Sequence, residues 1–238
     1  MPTLERFSFH HENVLGTSFE LHVRSVGAAA AGRAETVALA EIDRLARIFS
    51  GYSPDSEFSR WQRTRGEAVT VSPELFSVLA ASDRWQTASY GAFNPGAEAF
   101  SRLWQAAAAR DTVPPTTELA ATALRVGQPA WRLNPNAHTA EHLTDVPLTL
   151  NALAKGYIIE QASAAAAKVD GIEGLLLEIG GDLRVRGRFA ETIAVADPKN
   201  DAENAAPLLA VPVREAGLAT SGGYRRGVKV RGQHLPHH

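Results

Sequence analysis

Between Thr17 and Val23 the chain alternates, with Thr17, Phe19, Leu21 and Val23 separated by polar partners. A period of two predicts a half-buried strand. From Gly27 to Phe49 the spacing becomes helical, with Val37, Ile42, Leu45 and Ile48 on one face and Glu41, Asp43, Arg44 and Arg47 elsewhere. Gly51-Tyr52-Ser53-Pro54-Asp55 breaks that helix. A second helix opens at Ser72-Pro73-Glu74, with Ser72 as cap and Pro73 in the first turn, and runs to about Ser89. After a turn at 90–96, a third passes Trp104 to about Arg110; 111–115 reads as a loop and 116–124 as a short helix. Alternating apolar residues broken by turn formers predict a small hairpin over 131–150.

The clearest helix is Asn151–Val169, with Asn151 as its N-cap and Asp170-Gly171 as its stop. Beyond it short β-like runs dominate: 175–179, 183–185, 192–196, 208–213 and 228–230. Helices and strands are segregated, so the predicted class is α+β rather than a doubly wound sheet. Alanine tracts at 28–31, 106–109 and 164–167 suit helices, and no internal repeat is visible.

Composition narrows the functional classes. The 238 residues suffice for one large domain or two packed lobes, and 45% hydrophobic with 21% charged residues is an ordinary soluble balance. Against 26 acidic side chains stand 24 basic ones, a net charge of -2, so no global positive field exists to hold nucleic acid. The absence of cysteine excludes disulfides, a cysteine zinc site and a lipoprotein anchor of the cysteine type. Residues 1–11 are polar and lack the apolar core of a signal peptide, and no run reaches the length of a membrane span. As written, the chain is expected to be cytoplasmic.

Several segments carry chemistry. In Leu150-Asn151-Ala152-Leu153-Ala154-Lys155-Gly156-Tyr157, Lys155 falls about one turn inside a helix start. A cation there opposes the helix dipole, a cost of a few tenths of a kcal/mol that an anion at the same end would remove. The small residues Ala152, Ala154 and Gly156 permit close approach; a tightly packed helix with a solvated lysine reads equally well. The strand Leu175-Leu176-Leu177 runs into Gly180-Gly181-Asp182, where backbone amides can approach a phosphate or flat ring, or simply turn the chain. Ala219-Thr220-Ser221-Gly222-Gly223-Tyr224-Arg225-Arg226 offers hydroxyls and guanidiniums to phosphate oxygens, or is a polar turn. Tyr52, in a Gly/Pro loop, is a stacking platform or a loop cap. The histidines at 234, 237 and 238 read as a frayed end or as part of a catalytic or metal-binding segment.

The order of these segments resembles one family. Leu15-Gly16-Thr17 resembles its Met-Gly-Thr opening, and Ser50-Gly51-Tyr52 through Ser56-Glu57 its Ser-x-Tyr…Ser-Glu loop. Gly91-Ala92-Phe93-Asn94-Pro95 is similar to Gly-Ala-Phe-Asp-Pro, and Leu103-Trp104 stands where the family has Leu-Trp. Ala154-Lys155-Gly156-Tyr157, Gly180-Gly181-Asp182 and Ala219-Thr220-Ser221-Gly222-x-Tyr224 match three further signatures. On these residues the chain resembles the ApbE family over nearly its whole length.

That resemblance implies an ApbE-like, T-fold-related α+β unit over 1–238, with two packed lobes and a central cleft. It implies FAD binding and Mg2+-dependent transfer of FMN to a Thr or Ser of a partner flavoprotein, releasing AMP. FAD pyrophosphatase activity or non-catalytic flavin binding is the alternative. It places isoalloxazine near Tyr52, the pyrophosphate near Lys155, Thr220, Ser221 and Gly222, and adenosine near Gly180, Gly181 and Asp182. Lys155 and His238 are the implied catalytic groups, and the Ala154 carbonyl oxygen an implied metal ligand. Thr149 and Asn151 stand where the family usually has an acidic residue and a glycine, Asn94 and Glu160 where it has aspartates, and Gly223 where it has an acidic or amide residue. The family motif His-Ile-x-Asp-Pro-x-Thr-Gly begins at His238, so the remaining metal ligands are expected beyond it. Family members are often periplasmic.

Overall fold

A computed structural model of the chain describes residues 3–198, 206–221, 227–230 and 232–236. In chain order its elements are β1 (Glu5–Val14), β2 (Thr17–Ser25), α1 (Ala28–Phe49), α2 (Glu57–Gln62), β3 (Ala68–Thr70), α3 (Pro73–Ala88), a 3-10 turn (Pro95–Ala97), α4 (Glu98–Ala108), α5 (Thr116–Val126), β4 (Trp131–Asn134), β5 (Thr139–His142), α6 (Asn151–Ala167), β6 (Ile172–Ile179), β7 (Asp182–Gly187), β8 (Ala190–Val195), β9 (Leu209–Arg214), β10 (Gly217–Leu218), β11 (Gly227–Val230) and β12 (Gln233–Pro236). The class is α+β, as the segregated pattern predicts. The chain divides into two compact units, Met1–Ala46 with Lys155–Ser221 and Arg47–Ala154 with Gly222–His238.

The first unit holds a five-stranded antiparallel sheet in the order β1-β2-β6-β7-β10. In its centre Phe19, Leu21 and Val23 pair with Ile179, Leu177 and Leu175, all fully buried on one face. The intervening position Leu176 faces the other way and packs with Leu183, Val185, Phe189 and Val213. A strand covered on both sides loses its alternation, which is why Leu175-Leu176-Leu177 reads as a continuous apolar run. Each such side chain contributes about 1.5–3 kcal/mol by burial.

Several details differ from the sequence pattern. The polar N-terminal segment is a ten-residue strand, β1, whose Phe7 and Phe9 lie opposite Val23 and Leu21. All its side chains, Phe7 and Phe9 included, are exposed or half-buried, and it is the edge strand of the sheet. The buried stripe of α1 is Ala31, Ala34, Ala38, Ile42, Leu45 and Phe49; Val37 is exposed, because small side chains let the helix approach its neighbours more closely. Asn151 is not the N-cap of α6 but its first residue. The Leu150 carbonyl accepts the N–H groups of Leu153 and Ala154, so Leu150, itself buried, holds the cap position. The Asn151 N–H donates instead to Thr149 Oγ1 at 3.3 Å.

The second unit contains a three-stranded antiparallel sheet, β3-β5-β4, and the hairpin β11-β12. The predicted hairpin over 131–150 is β4–β5, but residues 143–150 form no ladder. Val146, Leu148 and Leu150 alternate there because each is individually buried. Trp61 anchors this unit: it is 2% exposed, and its indole N–H donates to the Ala140 carbonyl at 3.2 Å. Among the described residues no helix is long and apolar enough to cross a membrane.

Candidate functional site

The site of the first unit begins with two hairpin tips. The ladder between β6 and β7 closes at Ile179 opposite Asp182, leaving Gly180 and Gly181 as a two-residue loop with φ of 53° and 85°. Positive φ at both positions is the primed turn that matches strand twist, and glycine adopts it without steric penalty. Gly180 is required for a second reason. A Cβ there would lie 2.6 Å from Thr17 Cγ2, and the Gly180 N–H donates to the Ser18 carbonyl at 3.1 Å. Gly181 is different, since a Cβ there would meet nothing within 4 Å. Beside this turn lies the tip joining β1 to β2, where Leu15 and Gly16 also have positive φ (52° and 76°). A leucine in that conformation costs about 1–2 kcal/mol.

Lys155 reaches this corner from the N-terminal end of α6. Its ammonium lies 2.6 Å from Asp182 Oδ2 and donates to the Gly180 carbonyl at 3.4 Å. From the segment after β10, the Thr220 N–H donates to Asp182 Oδ1 at 3.3 Å. The anion that the lysine position calls for is thus supplied by the chain itself, the Asp182 carboxylate. Lys155, Gly180, Gly181, Asp182 and Thr220 are brought together, and Ser221 follows as an exposed residue. Gly222 and His238 lie outside the described residues.

Tyr52 and Ala154 belong to the second unit. The Tyr52 ring is 88% exposed, and its hydroxyl accepts from Asn151 Nδ2 at 3.4 Å. Ala154 is buried in the first turn of α6, its N–H bonded to the Leu150 carbonyl at 2.7 Å.

Two residues that depart from the family pattern have structural partners. Asn94 accepts from the Gly96 N–H at 2.8 Å and donates to the Val126 carbonyl at 3.2 Å. The second bond needs an amide, which an aspartate lacks. Glu160 faces Arg184 Nε at 3.1 Å and also bonds Arg186, whose Nε donates to the buried Ser163 hydroxyl at 2.9 Å.

Periodicity gives no warning of Glu178, which lies inside the apolar run yet turns a half-buried carboxyl beside the Gly181 N–H. Burial pushes that carboxyl above its ordinary range, and Glu20, directly opposite on β2, pushes in the same direction. Its only signal in the sequence is an acid flanked by Leu177 and Ile179.

The sequence profile of the ApbE family matches residues 15–238. An FAD:protein FMN transferase of Vibrio cholerae is 27% identical over 235 residues, covering 94% of this chain and 68% of that protein. One of Chlamydia muridarum is 30% identical over 148 residues, covering 61% of this chain and 46% of that protein. The chain thus spans about half to two thirds of the length of these relatives. The crystal structure of the ApbE protein from Thermotoga maritima superposes with a TM-score of 0.81 at 24% identity, over 98% of this chain and 75% of that one.

Proposed function

Because the chain belongs to the ApbE family, we propose that it binds FAD and transfers FMN to a Thr or Ser hydroxyl of a partner flavoprotein, releasing AMP. The observation that carries this reading is the convergence of Lys155 and the Thr220 N–H on one carboxylate beside the open Gly181. A cation and a backbone donor aimed at one anion form a phosphate-sized receptor. The relatives named FAD:protein FMN transferase supply the substrate.

In the proposed reaction the acceptor hydroxyl oxygen attacks the phosphorus on the FMN side. A new P–O bond forms, the pyrophosphate P–O bond breaks, AMP leaves with the bonding pair, and the hydroxyl proton passes to solvent. Positioning and neutralisation of the phosphate oxygens dominate such a step. Lys155 neutralises, and the Thr220 and Ser221 hydroxyls donate. The described residues do not compose a magnesium site by themselves. They contain no group of three or more His, Asp or Glu placed to hold a metal ion, Asp182 is engaged by Lys155, and Ala154 is buried.

The test incubates the chain, extended to the length of its relatives, with FAD, Mg2+ and a candidate acceptor. The expected result is an acceptor heavier by one FMN, with stoichiometric AMP. FMN and AMP appearing without an adduct would make the protein a pyrophosphatase. Lys155→Ala is expected to weaken FAD binding about tenfold, the scale of one charged hydrogen bond. An unchanged affinity in fluorescence titration would remove Lys155 from the phosphate site.

A further inference from the structure

We propose that Asp182 is the resident counter-ion of the dinucleotide site, a carboxylate that holds Lys155 until a ligand phosphate displaces it. This rests on the reading of Lys155 as the phosphate-binding cation. The geometry gives Asp182 the contacts that a phosphate oxygen pair would take: an ammonium at 2.6 Å on one oxygen and a backbone N–H at 3.3 Å on the other. The Asp182 side chain is 18% exposed and that of Lys155 32%, so both charges are partly withdrawn from water and neither is left bare when the other is engaged. The Thr220 bond holds the carboxylate on one side while Gly181 leaves the approach open on the other.

A ligand phosphate and the Asp182 carboxylate compete for one ammonium. Every ligand that uses Lys155 must first break the internal pair, so its apparent affinity is lowered by the fraction of sites in which the pair is open. The penalty falls on substrate and product alike. When the pyrophosphate is cleaved, the returning carboxylate helps to expel the phosphate left at Lys155. Asp182 is thus a release device acting through Lys155, a positioning residue rather than a catalytic one.

Asp182→Asn isolates the charge, because the amide oxygen can still accept the Thr220 N–H while the attraction for Lys155 is lost. The full chain and this variant are titrated calorimetrically with inorganic pyrophosphate, AMP and FAD in metal-free buffer containing a chelator. The variant is expected to bind each roughly five- to tenfold more tightly, the range for a partly exposed charged pair. The gain should vanish in the double variant Lys155→Met/Asp182→Asn, since a counter-ion has no effect without its ion. Asp182→Ser provides the same comparison if the asparagine variant does not fold. Pyrophosphate binding that is equal or weaker in the variant, or a gain that survives in the double variant, overturns the proposal. If pyrophosphate binds more tightly but FAD binds neither protein, with chelator or with Mg2+ restored, the counter-ion stands and the flavin reading falls. If FAD binds both proteins equally, the counter-ion falls and the flavin reading stands. Failure of both ligands with both proteins overturns the two together.

Discussion

At the scale of single residues, the two adjacent glycines of the β6–β7 turn answer to different constraints. Gly180 is fixed by packing against Thr17 as well as by its φ, whereas Gly181 is fixed by φ alone. Gly180→Ala is therefore expected to destabilise by about 2–4 kcal/mol, and Gly181→Ala by about 1 kcal/mol, readable as urea midpoints. Equal losses would contradict the Thr17 contact. Glu178 offers a second residue-level test. Its carboxyl is raised from the ordinary 4.5, first by burial and then by Glu20. The folded chain therefore holds a proton there more tightly than the unfolded chain does. Stability falls as pH rises from the ordinary value through the raised one and is flat above it. Glu178→Gln should then melt above the wild type at pH 7, by about 2–4 °C per kcal/mol relieved, and level with it at about pH 3.5, where both states are protonated.

At the scale of elements, α6 shows how one helix serves both structure and site. Its buried side, Ile158, Ile159, Ala162 and Ala166, is apolar, and its N-terminal end presents Lys155. Between them Glu160 spans to Arg184 and Arg186 of β7, the strand that begins with Asp182. The helix is thus tied to the strand carrying the lysine's partner. Glu160→Ala leaves two arginines uncompensated, with side chains 20% and 18% exposed. Glu160 itself is nearly half exposed, which limits the loss to about 1–2 kcal/mol in denaturant unfolding. The helix itself is legible in the sequence, but its cap is not. Asn151 is an excellent capping residue by type, yet the buried Leu150 fixes where the helix starts, and side-chain preference yields to burial.

At the scale of the whole molecule, the functional reading depends on three segments distant in sequence: the start of α6, the β6–β7 turn and the segment after β10. The sheet core brings them together, and Leu177 lies at its centre with no exposure. Leu177→Ala is expected to cost about 2–5 kcal/mol, seen as a lowered unfolding midpoint, while the fraction that stays folded keeps its FAD affinity. A parallel loss of affinity in the folded fraction would show that the site has no rigidity of its own.

The sequence alone determined the α+β class, the central strands, the long helices and the ordered motifs that place the chain in its family. These follow from local periodicity, capping chemistry and glycine content, which neighbours in the chain suffice to express. Only the tertiary structure decided that the edge segment Glu5–Val14 is a strand, that Ala31, Ala34 and Ala38 rather than Val37 join Ile42 and Leu45 in the buried stripe of α1, and that Lys155 is neutralised by Asp182. Each of these depends on which side chains other elements bring opposite. Pairing register and burial are set by packing between elements, and no local pattern encodes them.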